Sequence, residues 1–571
     1  MGAPSAKRSS DTLKLVLLWS LIGLFILAVG TIYAGYWLGR AITGREIPEA
    51  SPLGAVFGTL SGKYEWTTSS TVMSIVSLLL LAGIVVGGWM LLFKKSHSNR
   101  RKVDAAGRHM GNDSEVGFMM EKQARKKAQR MGVESPGLPI AKTLSGRMLY
   151  SSWEDVCVDI WGPRTGKTTS RAVPGILAAP GAVLATSNKR DIVDSTRGVR
   201  EDVGDVFVFD PQQVSGEDPS WWWNPLSYVT DEVKAQNLAS HFSAGSRATG
   251  AKADAFFDSA GKDLLAGLLL AAALENHPIT KVYEWLNKES NDESVQILKE
   301  NDYIQVSQSV NGVILSPDKQ RGGVFGTARQ MASCLTNRSV LRWITPQGQD
   351  HRKEFKPHEF VRGRNTLYSL SKEGAGTAGP LVTALTVATV EAAEELAVSE
   401  GGRLATPMVA MLDEAANVCR WAELPNLYSH YGSRGIVIDT ILQSWSQGIE
   451  VWGREGMRKL WSAANVKVYG GGVSEAEFLG ELSQLIGDYR YTSISKSTSK
   501  QGTSTSRDDD KKERTMDVSD LAALERGRAI VFASGAPAVL TRTCPWYEDK
   551  DAEKIKASLA KYDPAKRRAA A

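Results

Sequence analysis

A glycine-rich turn that ends in Gly-Lys-Thr constrains this chain more than any other feature. The turn, residues 162–169, follows the short apolar run 156–160 and precedes a segment with helical character. A strand, a glycine-rich turn and a helix in that order predict a nucleotide phosphate loop, because backbone N–H groups at a helix N-terminus favour anionic phosphates. The residues expected to bind the phosphates are Gly162, Pro163, Arg164, Thr165, Gly166, Lys167, Thr168 and Thr169.

Two side chains of this turn carry specific expectations. Lys167 is expected to reach the β- and γ-phosphates, and the Thr168 hydroxyl to bind Mg²⁺. The usual pattern has glycine five residues before Gly166, where this chain has Trp161, and Gly162 takes over that position if the loop is one residue shorter. An ordinary Gly-Pro turn stays open as the alternative at this point, since a Gly-Lys-Thr triplet also arises by chance.

A second apolar run, residues 407–412, ends in Asp413 and Glu414. A continuous apolar run is typical of a buried parallel strand, and α/β sheets bind ligands at the carboxyl ends of their strands. Asp413 is therefore expected to hold Mg²⁺, and Glu414 to orient or deprotonate the attacking water. The alternative is an acidic helix cap after a core strand, which is common.

A third apolar run, residues 435–442, is followed by Gln443. Glutamine at a strand end beside the γ-phosphate can position water or report hydrolysis. Alone this is a weak signal, but it fits as the third strand end in order.

Composition places these motifs in a large folded protein. With 571 residues, the chain is long enough for more than one domain. The four cysteines form no C-x-x-C pair and the seven histidines no H-E-x-x-H, so neither a disulfide framework nor a zinc site is indicated. The cysteines are expected to be small core residues in a reducing compartment.

Two uncharged apolar runs near the N-terminus, about 15–38 and 72–93, are each long enough to span a bilayer. Basic residues flank their outer ends, so the positive-inside rule predicts a multi-pass protein of the plasma or inner membrane, with both termini and the bulk of the chain in the cytoplasm. A cleavable signal peptide is the alternative for the first run. Residues 94–130 hold eleven Lys/Arg and four Asp/Glu, which suits anionic lipid, nucleic acid or a solvated stalk.

The rest of the chain predicts an α/β protein with an all-α insertion. Strands and helices alternate over residues 151–232 and 346–547, whereas 233–345 has only helical character. Residues 493–515 are polar and low in complexity, which predicts a flexible loop. The remaining segments are a membrane anchor (1–103), a basic juxtamembrane linker (104–150) and a charged disordered tail (548–571).

In order along the chain, these features resemble the VirD4/TraG-type coupling proteins of type IV secretion and conjugation. The resemblance extends from the two apolar runs to about residue 545. It depends on the 162–169 loop, the helical insertion and the three strand ends, together with residues 189–191, 209–211 and 224–226. The polar 493–515 loop and the acidic start of the next helix, residues 517–520, also match.

The resemblance implies a RecA-like ATPase core with an inserted all-α domain, assembled as a homo-hexamer on the cytoplasmic face of the membrane. ATP and Mg²⁺ would lie between subunits, and Arg434 would then be a trans arginine or, equally, a structural one. The implied partners are single-stranded DNA with its relaxase, or protein effectors, the subunits of the type IV secretion channel, and membrane lipid.

Two other classes of protein stay open. An FtsK/HerA-type double-stranded DNA translocase has similar spans and a RecA-like core, but FtsK motors usually carry a winged-helix domain for which this C-terminus is too short. A non-hydrolysing membrane adaptor need not keep Lys167, Thr168, Asp413 and Glu414 together.

Overall fold

The computed structural model describes residues 29–46, 51–97, 101–246, 254–348, 350–372, 378–499 and 502–564. The chain divides at Arg101 into two compact units, Met1–Arg101 and Lys102–Ala571. In the first unit the helices are α1 (29–42), α2 (Pro52–Leu60) and α3 (Thr68–His97).

Helices α1 and α3 pack closely through small residues. A side chain on Gly39 would lie 2.4 Å from Ser70 Cα, and the Ser70 hydroxyl donates a hydrogen bond to the Tyr36 carbonyl at 3.4 Å. Of the helices in the described ranges, none is long and apolar enough to cross a membrane, so the predicted spans lack support there. The predicted span 15–38 lies largely outside the described residues, and 72–93 falls within α3.

The second unit is built on an eleven-stranded sheet in the order β2-β1-β15-β14-β11-β3-β10-β9-β4-β8-β5. The strands are β1 (Leu138–Thr143), β2 (Met148–Ser151), β3 (Cys157–Ile160), β4 (Val183–Ser187), β5 (Val206–Phe209), β6 (Trp221–Trp222), β7 (Lys353–Glu354), β8 (Thr366–Leu370), β9 (Met408–Asp413), β10 (Ile436–Leu442), β11 (Val466–Tyr469), β12 (Asp488–Ser499), β13 (Gly502–Arg514), β14 (Arg528–Ala533) and β15 (Val539–Arg542).

The strands from β11 to β5 run parallel, and β14, β15, β1 and β2 continue the sheet with antiparallel pairs. Every residue of β4, β9 and β10 is buried, as expected for parallel strands covered on both faces. The fold is therefore mixed α/β around one large sheet, and its central strand, β3, leads into the predicted phosphate loop.

The described residues of the second unit also form eighteen α-helices. In chain order they are α4 (Glu121–Gln129), α5 (Val173–Ala178), α6 (Asp191–Arg200), α7 (Glu232–Ser246), α8 (Ala255–Leu274), α9 (Thr280–Leu286), α10 (Glu293–Glu300), α11 (Ile304–Ile314), α12 (Asp318–Met331), α13 (Arg338–Ile344), α14 (Pro357–Phe360), α15 (Gly379–Ser399), α16 (Ala415–Val418), α17 (Leu424–Ser433), α18 (Trp445–Ala463), α19 (Ala476–Ile486), α20 (Val518–Ala522) and α21 (Ala552–Lys561). A π-helical turn, Thr168–Ala172, precedes α5.

Helices α7–α13 lie in the segment for which the sequence predicts an all-α insertion, residues 233–345. The chain leaves the sheet after β5 and returns before β8, and on the way β6 and β7 pair in parallel, with Trp221 opposite Lys353. Trp221 and Trp223 are buried, and Trp221 packs edge-on against Phe207 and Trp343. Trp221 and Trp223 therefore act as core packing at this junction.

The segment 104–150, predicted to be a linker, is folded. It contains α4, β1 and β2, and the buried Arg528 forms an ion pair with Asp104 (Nε to Oδ1, 2.6 Å). Leu138, Ile140 and Leu149 are buried, so alternating apolar residues in β1 and β2 attach this basic segment to the sheet edge.

Two C-terminal expectations were also wrong. Residues 493–515, predicted as a flexible loop, lie for the most part in the long antiparallel hairpin β12–β13. The segment 548–571, predicted to be disordered, contains α21, which packs on α6, where the buried Ser558 donates to the Asp194 carbonyl. Of this segment, residues 565–571 lie outside the described part of the chain.

Candidate nucleotide site

The phosphate loop follows β3 and enters a helical segment, as the sequence predicted. Arg164 and Gly166 both have positive φ, 61° and 99°, which turns the backbone tightly at the loop tip. The Thr165 hydroxyl donates to the Gly162 carbonyl at 2.5 Å, and the Thr169 hydroxyl to the Gly166 carbonyl at 3.0 Å. Side chains of the loop therefore bond to the loop's own backbone carbonyls.

Trp161 occupies the position where a first loop glycine was expected, and it is buried. Its indole packs on Gly470, where any side chain would lie 2.0 Å from the ring. Gly162 in turn lies on Gly472: a Cβ at residue 162 would be 2.0 Å from the Gly472 carbonyl oxygen, and the Gly162 N–H donates to Gly471 O at 2.8 Å. The Gly470–472 turn after β11 therefore makes room for Trp161. No motif in the sequence predicted a role for this turn.

Lys167 joins the phosphate loop to the acidic end of β9. Its ammonium is buried, lies 3.2 Å from Asp413 Oδ1 and donates a hydrogen bond to Glu414 Oε1. The structure thus brings Lys167 to two adjacent carboxylates that are nearly 250 residues away in sequence. Cation and carboxylates neutralise one another where a Mg–nucleotide is expected to bind.

Burial raises the pKa of Asp413 to about 6, Lys167 opposes this rise, and Glu414 adds to it. The Thr186 hydroxyl donates to the Asp413 carbonyl at 3.0 Å and fixes β9 against β4. Thr168, half-buried at the start of the helical turn, supplies the hydroxyl of the predicted metal set. A lysine, a hydroxyl and two carboxylates thus lie at the carboxyl ends of β3 and β9. These are the side-chain groups that bind a nucleotide and its Mg²⁺ in P-loop sites.

Glu414 has a left-handed backbone, with φ 55° and ψ 39°, which is rare for a residue with a side chain. Its carboxylate accepts hydrogen bonds from the Gln443 amide at 2.6 and 2.7 Å and from Asn417 Nδ2 at 3.3 Å. Backbone strain of this kind concentrates at functional sites. Gln443, predicted from its strand end, thus holds Glu414 directly.

Arg434 lies elsewhere. It precedes β10, whereas Gln443 follows it, so the two are at opposite ends of a seven-residue strand. Its Nε lies 3.1 Å from His430 Nε2 and 3.7 Å from Glu394 Oε1. The structure does not bring Arg434 to the phosphate loop of its own chain.

Beneath the loop lies a buried charged cluster that the sequence reasoning missed: Asp159, Arg171 and Asp439. Burial raises the pKa of Asp439, Arg171 opposes this rise, and Asp159 adds to it. Arg171 stays charged because its two carboxylate neighbours outweigh its own burial and raise its pKa. The available signal was an aspartate inside each of two otherwise apolar strands, β3 and β10.

Comparison with known proteins agrees with this architecture. Residues 407–526 match the TraG-D_C family, described as the TraM recognition site of TraD and TraG. The match includes the ends of β9 and β10, with Asp413, Glu414 and Gln443. No curated protein sequence matches the chain.

Solved structures of the bacterial conjugative coupling protein TrwB have a similar fold. The unbound TrwBdeltaN70 aligns with a TM-score of 0.51 and 18% identity over 73% of this chain and 91% of that chain. Its complex with sulphate gives 0.53 and 16% over 74% and 92%, and TrwB with ADP and Mg²⁺ gives 0.52 and 18% over the same shares.

The chain thus has a mixed α/β fold with a large central sheet similar to the RecA-like core of TrwB, and its phosphate loop faces an acidic strand end. Within that class, the TraG-D_C match and the TrwB fold confirm the similarity to VirD4/TraG-type coupling proteins that the sequence indicated.

Proposed function

We propose that this protein is a membrane-anchored ATPase that recruits a substrate and drives it into a type IV secretion channel. The observation that supports this most directly is the set formed by Lys167, Asp413, Glu414 and Gln443, which converges on the phosphate loop. The TrwB structure with ADP and Mg²⁺ supports the same use of this fold.

In this proposal Lys167 leaves Glu414 and pairs with the β- and γ-phosphates of ATP. Thr168 and Asp413 would hold Mg²⁺, which would neutralise phosphate charge. Glu414, released from Lys167 and still held by Gln443, accepts a proton from the attacking water. Because Gln443 donates to both oxygens of Glu414, it orients the base. Arg434 would act only from a neighbouring subunit of a homo-hexamer.

The substrate and partners follow from the resemblance. Single-stranded DNA with its relaxase is proposed as the substrate, with protein effectors as the other form of cargo. A TraM-like protein would contact the 407–526 region, since the matching family is described by that recognition site. Anchoring in the inner membrane, contact with its lipid and with channel subunits, and a cytoplasmic ATPase rest on the two apolar runs and on the family type.

The test is ATP turnover by the full-length protein with Mg²⁺, without DNA and with single- or double-stranded DNA. Turnover is expected to rise with single-stranded DNA and to vanish in Lys167→Ala. The control is Lys459→Ala, an exposed α18 lysine whose Nζ donates to Asn426 Oδ1 at 2.6 Å, far from the loop in sequence. Glu414→Gln should bind ATP but not hydrolyse it.

A response confined to double-stranded DNA would favour the FtsK/HerA-type reading instead. Binding of ATP without turnover in the wild type, under all three conditions, would leave the non-hydrolysing adaptor as the better account.

A further inference from the structure

Arg171 is the most completely buried cation beside the phosphate loop, with no exposed side-chain surface. Its Nε donates to Asp159 Oδ2 at 2.5 Å and its Nη2 to Asp439 Oδ2 at 2.5 Å. Its Nη1 donates to the Pro139 carbonyl at 2.6 Å. One guanidinium therefore bonds to three strands, β3, β10 and β1.

The backbone at Arg171 is adapted to this position. The turn Thr168–Ala172 is π-helical, with the Val173 N–H bonded to the Thr168 carbonyl. Pro174 has no N–H to continue an ordinary helix at the next residue, which favours such a bulge. Arg171 lies four residues after Lys167 and three after Thr168, so it anchors the segment that carries both.

Each carboxylate of the cluster lies on a strand that leads directly into the site. Asp159 is three residues before Gly162, where the phosphate loop begins. Asp439 is four residues before Gln443, whose amide holds Glu414. The two strands are hydrogen-bonded neighbours, with Thr440 opposite Val158.

The second oxygen of each aspartate, Oδ1, is buried without a hydrogen-bond partner. Burying two carboxylates with one cation is costly in free energy. Apolar residues of similar size in such a place often give equal or greater stability. The geometry therefore favours a role in alignment over a role in stability alone.

We propose that Arg171 is a positioning residue that fixes the phosphate loop relative to the Gln443–Glu414 pair, through Asp159 on the loop side and Asp439 on the hydrolysis side. This inference rests on the proposed ATPase function. It assigns separate effects to the two aspartates, because each anchors a different half of the site.

The experiment compares Asp159→Asn and Asp439→Asn in the full-length protein. Both changes keep side-chain size and remove one charge. Asp159→Asn is expected to raise KM and weaken binding of a fluorescent ADP about tenfold, with kcat largely kept. Asp439→Asn is expected to lower kcat about tenfold, with ADP binding kept, as for other groups that orient reacting residues. Arg171→Lys, which keeps the charge but cannot bridge both carboxylates, should show both effects.

The matched control is Asp104→Asn, which breaks a second largely buried ion pair, with Arg528 on β14, two strands from β3 in the sheet. It should lower the melting temperature and leave KM, kcat and ADP binding unchanged. If KM and kcat were impaired to the same degree in both cluster variants, in step with the fall in their melting temperatures, the proposal would be overturned. Unchanged kinetics in both would overturn it as well. A wild type that binds ADP without turnover would count against the ATPase function, and the Asp159→Asn binding result would still test the loop half.

Discussion

At the residue scale, the phosphate loop depends on glycines that meet where no side chain fits. Gly162 and Gly472 come from chain segments more than 300 residues apart. Their backbones pack so closely that a Cβ on Gly162 would clash with the Gly472 carbonyl oxygen. The sequence identified the first of these glycines through its motif. The second has no motif, and only the packing of Trp161 against the Gly470–472 turn explains it.

We expect Gly162→Ala to abolish nucleotide binding. The new methyl group would lie 2.0 Å from a backbone carbonyl oxygen, which cannot move aside as a flexible side chain can, so the loop must shift. Fluorescent ADP titration measures this. Gly322→Ala, in α12 with open space around the position, is the control and should bind as the wild type does. Wild-type affinity in Gly162→Ala would contradict the role given to this contact.

A buried histidine gives a prediction on pH. His241 in α7 is buried, its Nε2 has no hydrogen-bond partner, and burial lowers its pKa to about 4. As the pH falls below 6.5 the unfolded chain takes up a proton before the folded one, so the free energy of unfolding falls between about pH 6.5 and 4. The full effect is about 3 kcal/mol at ~1.4 kcal/mol per pKa unit.

Melting temperatures of the wild type and His241→Gln over pH 4–7 measure this effect. The melting temperature of the wild type should fall relative to that of His241→Gln as the pH falls, because only the wild type takes up a proton at this residue when it unfolds. The control is Gly322→Ala, which changes no titratable group and should show a constant difference from the wild type. A constant difference for His241→Gln as well would show that His241 does not titrate in this way.

At the element scale, α21 shows how a helix can escape prediction from composition. Its segment is rich in Lys, Glu and Ala, with few large apolar residues, so it resembled a solvated tail. Its partners are specific and polar: the Gly198 N–H donates to Ser558 Oγ at 2.9 Å, and Ser558 Oγ donates to the Asp194 carbonyl at 2.7 Å. Tyr562 packs under Arg197, 4.6 Å from guanidinium carbon to ring centroid.

We expect a chain that ends at residue 548 to melt several degrees below the wild type. Without α21, the surface against which Ile555 is buried is exposed, and Arg190 loses the Tyr562 carbonyl, to which it donates at 3.0 Å. Differential scanning calorimetry tests this, with a chain that ends at residue 564 as the control. Identical melting of all three chains would instead support the disordered tail that the sequence indicated.

At the scale of the whole molecule, the sequence predicted the parallel part of the sheet well. Apolar runs such as 407–412 and 436–442 are buried on both faces, so their pattern alone identifies them. Strands β1 and β2 of the antiparallel extension were missed because β1 contains Pro139 and β2 is short. The hairpin β12–β13 was missed because its Ser- and Thr-rich strands carry no apolar alternation. Cluster residues such as Arg171 become visible only when distant strands are placed side by side.

The fold makes residue 102 a natural boundary. We expect a chain of residues 102–571 to unfold cooperatively and to bind ADP, and a chain of residues 112–571 to be less stable. The second chain lacks Asp104, so the buried Arg528 loses the carboxylate of this ion pair, at a cost of about 3 kcal/mol or more. Thermal unfolding of both chains tests this, and equal stability would show that the 102–111 segment is dispensable.

The pairing of β6 with β7 has a consequence for the history of such a chain. Because neighbouring strands lie about 4.8 Å apart, the polypeptide returns from its helical excursion almost where it departed. The sheet therefore does not constrain the length of the helical segment between β6 and β7. Insertions and deletions in that segment are tolerated, as they are wherever the two ends of an inserted segment lie close together. Proteins with this sheet should differ in length chiefly between the strands that correspond to β6 and β7. An alignment of their sequences on the phosphate loop would reveal this variation.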